Sequence, residues 1–495
     1  MPHMSVLPEN LYTAAQVREI ERRAVEDARI PVATLMQRAG EAAWQQLKLQ
    51  WPSAGHLLVL CGSGSNAGDG YVLANCALAE QRKVTVLTLG DRLRLPPAAS
   101  EMRGRFLKAG GSETAFESRL PAADVIVDAL LGIGLDRPLH GEWSKLVREV
   151  NACKMPVLSL DIPTGLNADT GAEMGGTIRA DVTVTFLALK TGLFTGAGPE
   201  CTGLLRFDDL MAPHNVYGSL APRARRLRSA AMRETALPPR SRDSHKGDFG
   251  HVLVVGGDHG MGGAVRLAAE AALRCGAGLV TVATQGAHVG GLLAGLPEAL
   301  VHGIESADDL DPLLKKASVV AVGPGLGRGD WGRMLLKRVM AFDMPLAVDA
   351  DGLNLLAEAP HKHGRWILTP HPGEAGRLLG TDTATVQRDR YACVERIAER
   401  FDAVTVLKGA GSLIASHAEV TCVCTAGNPG MASPGMGDVL TGVIAALVGQ
   451  GLSLPEAARQ GVYVHAAAGE LAARQGERGL MARDLMDPLR HLVNV

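Results

Sequence analysis

Residues 435–438 read Gly-Met-Gly-Asp and stand directly ahead of the apolar run VLTGVIAALVG (439–449). They close a flexible, nearly uncharged stretch, NPGMASPGMGD (428–438). A helix that starts there offers backbone N–H groups with no internal partner, so negative charge is stabilised in front of it. Asp438, in its first turn, is the type of group that takes a proton from a hydroxyl about to receive a phosphoryl group. Gly and Asp also open helices that bind nothing, so the neighbouring motifs decide the reading. VGPGLG (322–327), DADGLN (349–354), TPHPGE (369–374) and VLKGAGS (406–412) each follow an apolar run, and they bring further carboxylates together with His371, Glu374 and Lys408. Four such turns on successive strands are hard to explain by steric need alone.

A second set of groups lies in the first half of the chain. CGSGSNAGDG (61–70) links a strand to a helix, and its glycines let a ligand approach the backbone closely. It matches neither GxGxxG nor the phosphate loop that ends in GK[ST]. VDALLGIGLDRP (127–138) sets Asp128 at a strand end, and LSLDIPTGLN (158–167) sets Asp161 and Thr164 at another. Ligands of open α/β sheets bind beyond the carboxyl ends of the strands. Asn66, Asp128 and Thr164 are therefore expected to converge, and their oxygens suit a hard cation without strict geometry. Asp161 is the candidate acid–base residue, although an aspartate before Ile-Pro also caps turns.

The elements that carry these groups form two α/β patterns. The first opens with polar helical segments (13–50) and continues with HLLVLCG (56–62), the helix GYVLANCALAEQ (70–81), KVTVLTL (83–89), ADVIVDALLG (123–132), MPVLSLDIPTG (155–165) and ADVTVTFLALK (180–190). The second restarts at HVLVVGGD (251–258) and runs to the helix from 437. Apolar, β-branched runs alternating with helices predict parallel sheets buried on both faces. Between them, residues 212–250 are rich in Arg, Pro and Ser without an apolar period, which reads as an irregular connection. Its RARRLR cluster has no interleaved aromatics and reads as a solvated segment rather than an RNA site.

Composition narrows the field. The chain has 495 residues, a formal net charge of −2 and 59 glycines. No global field draws in nucleic acid, so any anion is bound locally. Eight cysteines without a CxxC pair indicate neither zinc nor a disulfide framework, and reduced thiols in a cytoplasmic protein are expected. No apolar stretch of about 18 residues predicts a membrane span, and the N-terminus does not have the pattern of a signal peptide.

GSGSNAGDG, DALLGIGL, DIPTGLNADTG and TVTFLALKTGL, in this order, resemble the N-terminal domain of the YjeF family, a Rossmann-like NAD(P)H-hydrate epimerase. GGDHGMGGA, GPGLG, DADGLN, LTPHPGE, LKGAGS and GNPGMASPGMGDVLTG resemble the family's C-terminal, ribokinase-like NAD(P)H-hydrate dehydratase. The resemblance implies an α/β chain with a Rossmann-like three-layer domain over 1–220 and a ribokinase-like domain over 225–495. It implies substrate contacts from Ser65, Asn66, Ala67, Gly68 and Asp69, from Gly132, Ile133, Gly134, Leu135, Asp136, Arg137 and Pro138, and catalysis by Asp161. Potassium is implied on Asn66, Asp128 and Thr164. In the second half it implies contacts to the hydrated nicotinamide nucleotide from Ala264, Gly325, His371 and Asp438, the last as base. Lys408, Gly409, Ala410, Gly411, Ser412 and Gly437 are implied to hold ADP, with magnesium expected beside it.

The implied function is epimerisation of R- and S-NADHX or NADPHX at C6, and ADP-dependent dehydration of the S form with release of AMP and phosphate. Both substrates are small molecules, no nucleic-acid or membrane partner is expected, and a homo-oligomer is. Ser65, Ala67 and Pro434 depart from the residues usual in the family. The alternative reading is a ribokinase-like small-molecule kinase with a non-catalytic N-terminal binding domain.

Overall fold

The computed structural model describes residues 7–227, 237–417 and 419–494. The first six residues of the N-terminal segment, Arg228 of the basic cluster and residues 229–236 of the irregular connection lie outside the described residues. The chain divides into two compact units, residues 1–224 and 225–495.

The first unit begins with the helices Ala14–Glu26 and Val32–Gln50. Thr13 caps the first of them through a reciprocal pair with Gln16, whose N–H it accepts at 3.2 Å. Val17, Ile20 and Ala24 recur at helical spacing and form its buried stripe. A sheet of seven strands follows. From edge to edge it runs Glu113–Ala115, Lys83–Thr88, His56–Cys61, Val125–Ala129, Val157–Leu160, Val182–Phe186 and Leu204–Asp208, all parallel. Separate apolar clusters cover its two faces, one around Val59, Tyr71 and Val127, the other around Leu58, Ile126 and Leu146. Strand order reverses between His56–Cys61 and Val125–Ala129, which opens a crevice at their carboxyl ends. A two-stranded parallel pair, Asn10–Tyr12 with Leu189–Lys190, completes the unit.

The helix after the first strand starts at Ser65, not at Gly70, and runs to Ala79. Ser-Asn-Ala-Gly-Asp-Gly reads as a turn by propensity. Packing overrides it: Ala67 is fully buried, and a Cβ on Gly68 or Gly70 would run into Met36 or Ala129. The glycines are there for close approach, and residues 65–69 form the first turns of the helix.

In the second unit the strands run Leu300–Gly303, Leu279–Thr284, His251–Val255, Val319–Val322, Leu346–Val348, Trp366–Leu368 and Val404–Leu407 in parallel. An antiparallel continuation follows through Ser412–Ala415 and Thr421–Cys424. The order reverses between His251–Val255 and Val319–Val322. The helix Met436–Gly449 is buried on almost every side and crosses the helix Gly262–Arg274 so closely that a Cβ on Gly442 would collide with the Ala268 carbonyl. Gly442→Val is therefore expected to cost about 3 kcal/mol through overpacking, read as a fall of several degrees in Tm.

Candidate active sites

The first site sits at the reversal point of the N-terminal sheet. Asp128 is fully buried at the end of its strand. Its Oδ1 accepts the Thr164 hydroxyl at 2.7 Å, and its Oδ2 accepts the Thr164 N–H and the Ser159 hydroxyl, both at 2.9 Å. Burial pushes its carboxyl up, and the bonds from Thr164 and Ser159 oppose this. Asn66, 6% exposed, donates to Leu160 O at 3.2 Å, while its Oδ1 is buried without a hydrogen-bond partner. An orphaned buried amide oxygen at the strand ends that also carry the Asp128 carboxylate and the Thr164 hydroxyl is a donor set suited to a hard monovalent cation, so the residues fit potassium.

Asp161 follows the next strand in a left-handed conformation, φ 63°. The Ile162 N–H reaches back to Leu160 O at 2.8 Å, which closes a three-residue turn around it. Gly132 faces it: a methyl there would lie 3.6 Å from Asp161 Oδ2 and 3.6 Å from Asn66 Cβ. Arg18 ties down the same loop by donating to Ile133 O at 3.2 Å. Asn66, Asp128, Gly132, Ile133, Asp161 and Thr164 are thus gathered together. Asp69 belongs with them, because burial and then the Asp161 charge hold its carboxyl well above the usual range. Ala67 and Gly68 face the core and offer only backbone to a ligand, whereas Ser65 is exposed. Gly134, Asp136, Arg137 and Pro138 are exposed and Leu135 is half-buried further along the loop, and among the described residues none of them bonds to the cluster.

The second site lies at the carboxyl edge of the C-terminal sheet. Gly435, φ 87°, begins the helix that carries Asp438. Beneath this turn Lys408 donates to Asp349 Oδ1 at 2.6 Å, and the Thr441 hydroxyl donates to Asp349 Oδ2 at 2.9 Å. A Cβ on Gly437 would lie 3.2 Å from Lys408 Nζ and 3.3 Å from Asp349 Oδ2, so only glycine fits over the pair without pressing on it. Burial disfavours both charges, but their attraction outweighs it; Asp349 sits below and Lys408 above its ordinary value. Burial, then repulsion from Asp349, pushes Asp438 up to about 7.

Glu374 is 4.0 Å from Lys408 and accepts the His371 N–H at 2.8 Å; burial first, with repulsion from Asp349, lifts it to about 7. The Nδ1 of His371 accepts from Gly373 N at 3.0 Å, which leaves Nε2 as the protonated nitrogen of the neutral ring, and burial keeps that ring neutral. Asp351 joins the group by accepting Gly327 N at 3.0 Å and by raising Asp438. Ala264 and Gly325 meet at the reversal point, where a Gly325 Cβ would come within 3.2 Å of Ala264 Cβ. Gly409, Ala410 and Gly411 form a hairpin turn; Ser412 closes it with its hydroxyl 3.0 Å from Gly409 O.

Several members of these clusters carry no role in the motif reading. Asp349 was one of two carboxylates in DADGLN, and only the fold shows which one meets Lys408. Lys190 lies inside TVTFLALKTGL and ends against Asp161. Glu21 is one acid among many on an amphipathic helix, and burial, then repulsion from Asp161, raises it. His465 lies close enough to Lys408 to feel its charge; among the described residues its Nε2 has no hydrogen-bond partner, and burial depresses it to about 4.

Fold and sites define a two-unit α/β chain with an acid–base cluster at the strand ends of each sheet. A family model described as YjeF-related protein N-terminus matches residues 32–192, and one described as NAD(P)H-hydrate dehydratase matches 252–490. The bifunctional NAD(P)H-hydrate repair enzyme Nnr of Coxiella burnetii is 48% identical over 98% of this chain and 99% of its own length. That of Escherichia coli K12 is 45% identical over 99% and 95%. A solved ribokinase-like superfamily protein from Enterococcus faecalis V583 matches 55% of this chain and 96% of its own, with a TM-score of 0.52 and 30% identity. The chain belongs to the family of bifunctional NAD(P)H-hydrate repair enzymes.

The buried pair gives a direct stability test. Asp349→Ala removes the hydrogen-bonded partner of Lys408 and leaves only the more distant Glu374, which is expected to cost about 3 kcal/mol, seen as a lower urea midpoint. Adding Lys408→Met to that variant should recover most of the loss.

Proposed function

We propose that this chain repairs hydrated nicotinamide cofactors in two steps. Its N-terminal unit interconverts the R and S forms of NADHX or NADPHX at C6, and its C-terminal unit dehydrates the S form at the expense of ADP. What carries this reading is that each half has its own carboxylate cluster at the strand ends of its own sheet, in a chain that matches bifunctional relatives from end to end. A small-molecule kinase would use the same GMGD turn but would leave the first cluster without work.

In the first unit, epimerisation needs one base. Asp161 takes the C6 hydroxyl proton as the C6–N1 bond opens, its pair passing to N1 and on into the ring carboxamide. Rotation about C5–C6 turns the new aldehyde over, N1 closes on the opposite face, and the proton returns. Asn66, Asp69, Gly132 and Ile133 line the space in which this occurs, and Ser65 and Gly134 to Pro138 lie at its outer side. Potassium on Asn66, Asp128 and Thr164 would supply the positive charge that the buried Asp128 otherwise lacks.

In the second unit, the C6 oxygen attacks the terminal phosphorus of ADP, its proton passes to Asp438, and AMP leaves. The N1 lone pair then expels phosphate from C6, and loss of a C5 proton restores the ring. The N–H groups ahead of Asp438 face the transferring phosphoryl group. Lys408 through Ser412 and Gly437 hold the nucleotide; Ala264, Gly325 and His371 hold the hydrate. Magnesium bound with ADP would offset the phosphate charge.

All eight cysteines are free thiols, and no helix among the described residues is long and apolar enough to cross a membrane. These facts support a cytoplasmic setting. The exposed Leu293 and Leu300 beside the open edge of the C-terminal sheet support assembly into a homo-oligomer.

Asp438 must be ionised to act as a base, and its carboxyl sits at about 7. The kcat/KM for dehydration of pure S epimer, which reports the free enzyme, is therefore expected to fall as pH drops below about 7. Asp438→Asn should lower kcat about 10²- to 10⁴-fold and abolish that limb, while ADP still binds in calorimetry. Full activity in Asp438→Asn would remove the base from the proposal.

A further inference from the structure

Asp161 does not present two equivalent oxygens. Its Oδ1 takes the Lys190 ammonium in a direct ion pair, together with the Phe186 N–H at 3.4 Å and the Thr185 hydroxyl at 3.5 Å. Its Oδ2 accepts no hydrogen bond among the described residues and lies 3.6 Å from where a Cβ on Gly132 would stand. Lys190 itself is fully buried, and its other donors are spent on the Thr185 hydroxyl and Phe186 O, each at 2.9 Å. The backbone around the pair is strained twice. Asp161 has φ 63° and Leu187 has φ 61°, and each is the middle residue of a turn closed by the next N–H. Non-glycine residues persist in such conformations only when their surroundings hold them there. The Phe186 carbonyl, which accepts Ala188 N at 2.7 Å in the second turn, also accepts Lys190.

We propose that Lys190 is a positioning residue for epimerisation: it claims Asp161 Oδ1, fixes the carboxylate in its left-handed turn, and leaves Oδ2 as the single basic oxygen facing the substrate. This rests on the proposed epimerase role of the first unit and deepens it. A base that takes a proton and returns the same one needs a single oxygen in one place.

The surrounding charges agree. Glu21 from the helix Ala14–Glu26, Asp69 from the helix Ser65–Ala79 and Arg18 beside Ile133 also face this space. Burial, with repulsion from Asp161, holds Asp69 and Glu21 toward their neutral forms. Lys190 is thus the cation in contact with the one carboxylate of the three that the reaction requires charged.

The test is Lys190→Met in the full chain. Interconversion of purified R and S epimers is followed by chromatography across pH, and dehydration of pure S epimer by the same preparation reports on the other unit. Loss of an adjacent cation raises a carboxyl, so the acid limb of epimerisation kcat/KM should move up by about one to three pH units. At pH 7 the rate should fall about 10²-fold, with dehydration unchanged. Where Lys190→Met does not fold, Thr185→Val decides, because it removes a contact of both partners; a smaller upward move of the limb supports the proposal and an unmoved limb overturns it. A Lys190→Met enzyme with the wild-type limb and rate also overturns it. A wild-type chain that fails to interconvert the epimers overturns instead the epimerase reading beneath it.

Discussion

In each half of this chain a lysine is taken out of water and set against an aspartate at the carboxyl end of a parallel sheet. Lys190 meets Asp161 in the first unit and Lys408 meets Asp349 in the second. A buried charge is costly unless paired and hydrogen-bonded, and the structure around each pair answers that cost. Thr185 and Phe186 O complete the donors of Lys190, and Thr441 completes Asp349. The pairs differ in what they leave over. In the first, Lys190, the Thr185 hydroxyl and the Phe186 N–H all meet Asp161 Oδ1, and Oδ2 is left over. In the second, the pair is capped by Gly437, and Asp438, the proposed base, stands on the turn above it.

The sheets explain why these groups can meet. Lys190 and Asp161 are 29 residues apart, and Lys408 and Asp349 are 59 apart. Parallel strands bring successive carboxyl ends to one edge, and the reversal of strand order opens a gap there. Glycine enforces the close approaches. Gly323 cannot carry a Cβ because Asp349 O occupies that space, and Gly442 lets two helices cross at backbone contact. Asp438 therefore rests on a helix that the core clamps over its length, and its repulsion by Asp349 and Asp351 is built into the fold.

Much of this was legible in the sequence. Strands buried on both faces are written as continuous apolar runs, so the central strands of both sheets were readable, whereas Glu113–Ala115, Leu204–Asp208, Leu300–Gly303 and Thr421–Cys424 were not singled out. Motifs at the strand ends pointed to Asp128, Asp161, Thr164, His371, Lys408 and Asp438. The start of the helix at Ser65 was not legible, because its glycines read as a turn and only packing against Met36 and Ala129 shows otherwise. Nor were the partners legible. Lys190 reads as one charge in a strand, Glu21 as one acid on an amphipathic helix, and Asp349 as an equal of Asp351; their difference lies in contacts made across the fold. Of the three departures, Ala67 packs in the core, whereas Ser65 and Pro434 are exposed.

The central claim is that two carboxylates in two units perform separate steps on one substrate. The measurement that tests it most directly is recovery of absorbance at 340 nm from an equilibrated mixture of both NADHX epimers with ADP, magnesium and potassium. Wild type, Asp161→Ala and Asp438→Asn would be compared at times short against spontaneous epimerisation. Wild type is expected to recover the absorbance completely, Asp161→Ala to stall once the S form is consumed, and Asp438→Asn to show no recovery. Complete and rapid recovery by Asp161→Ala would contradict it.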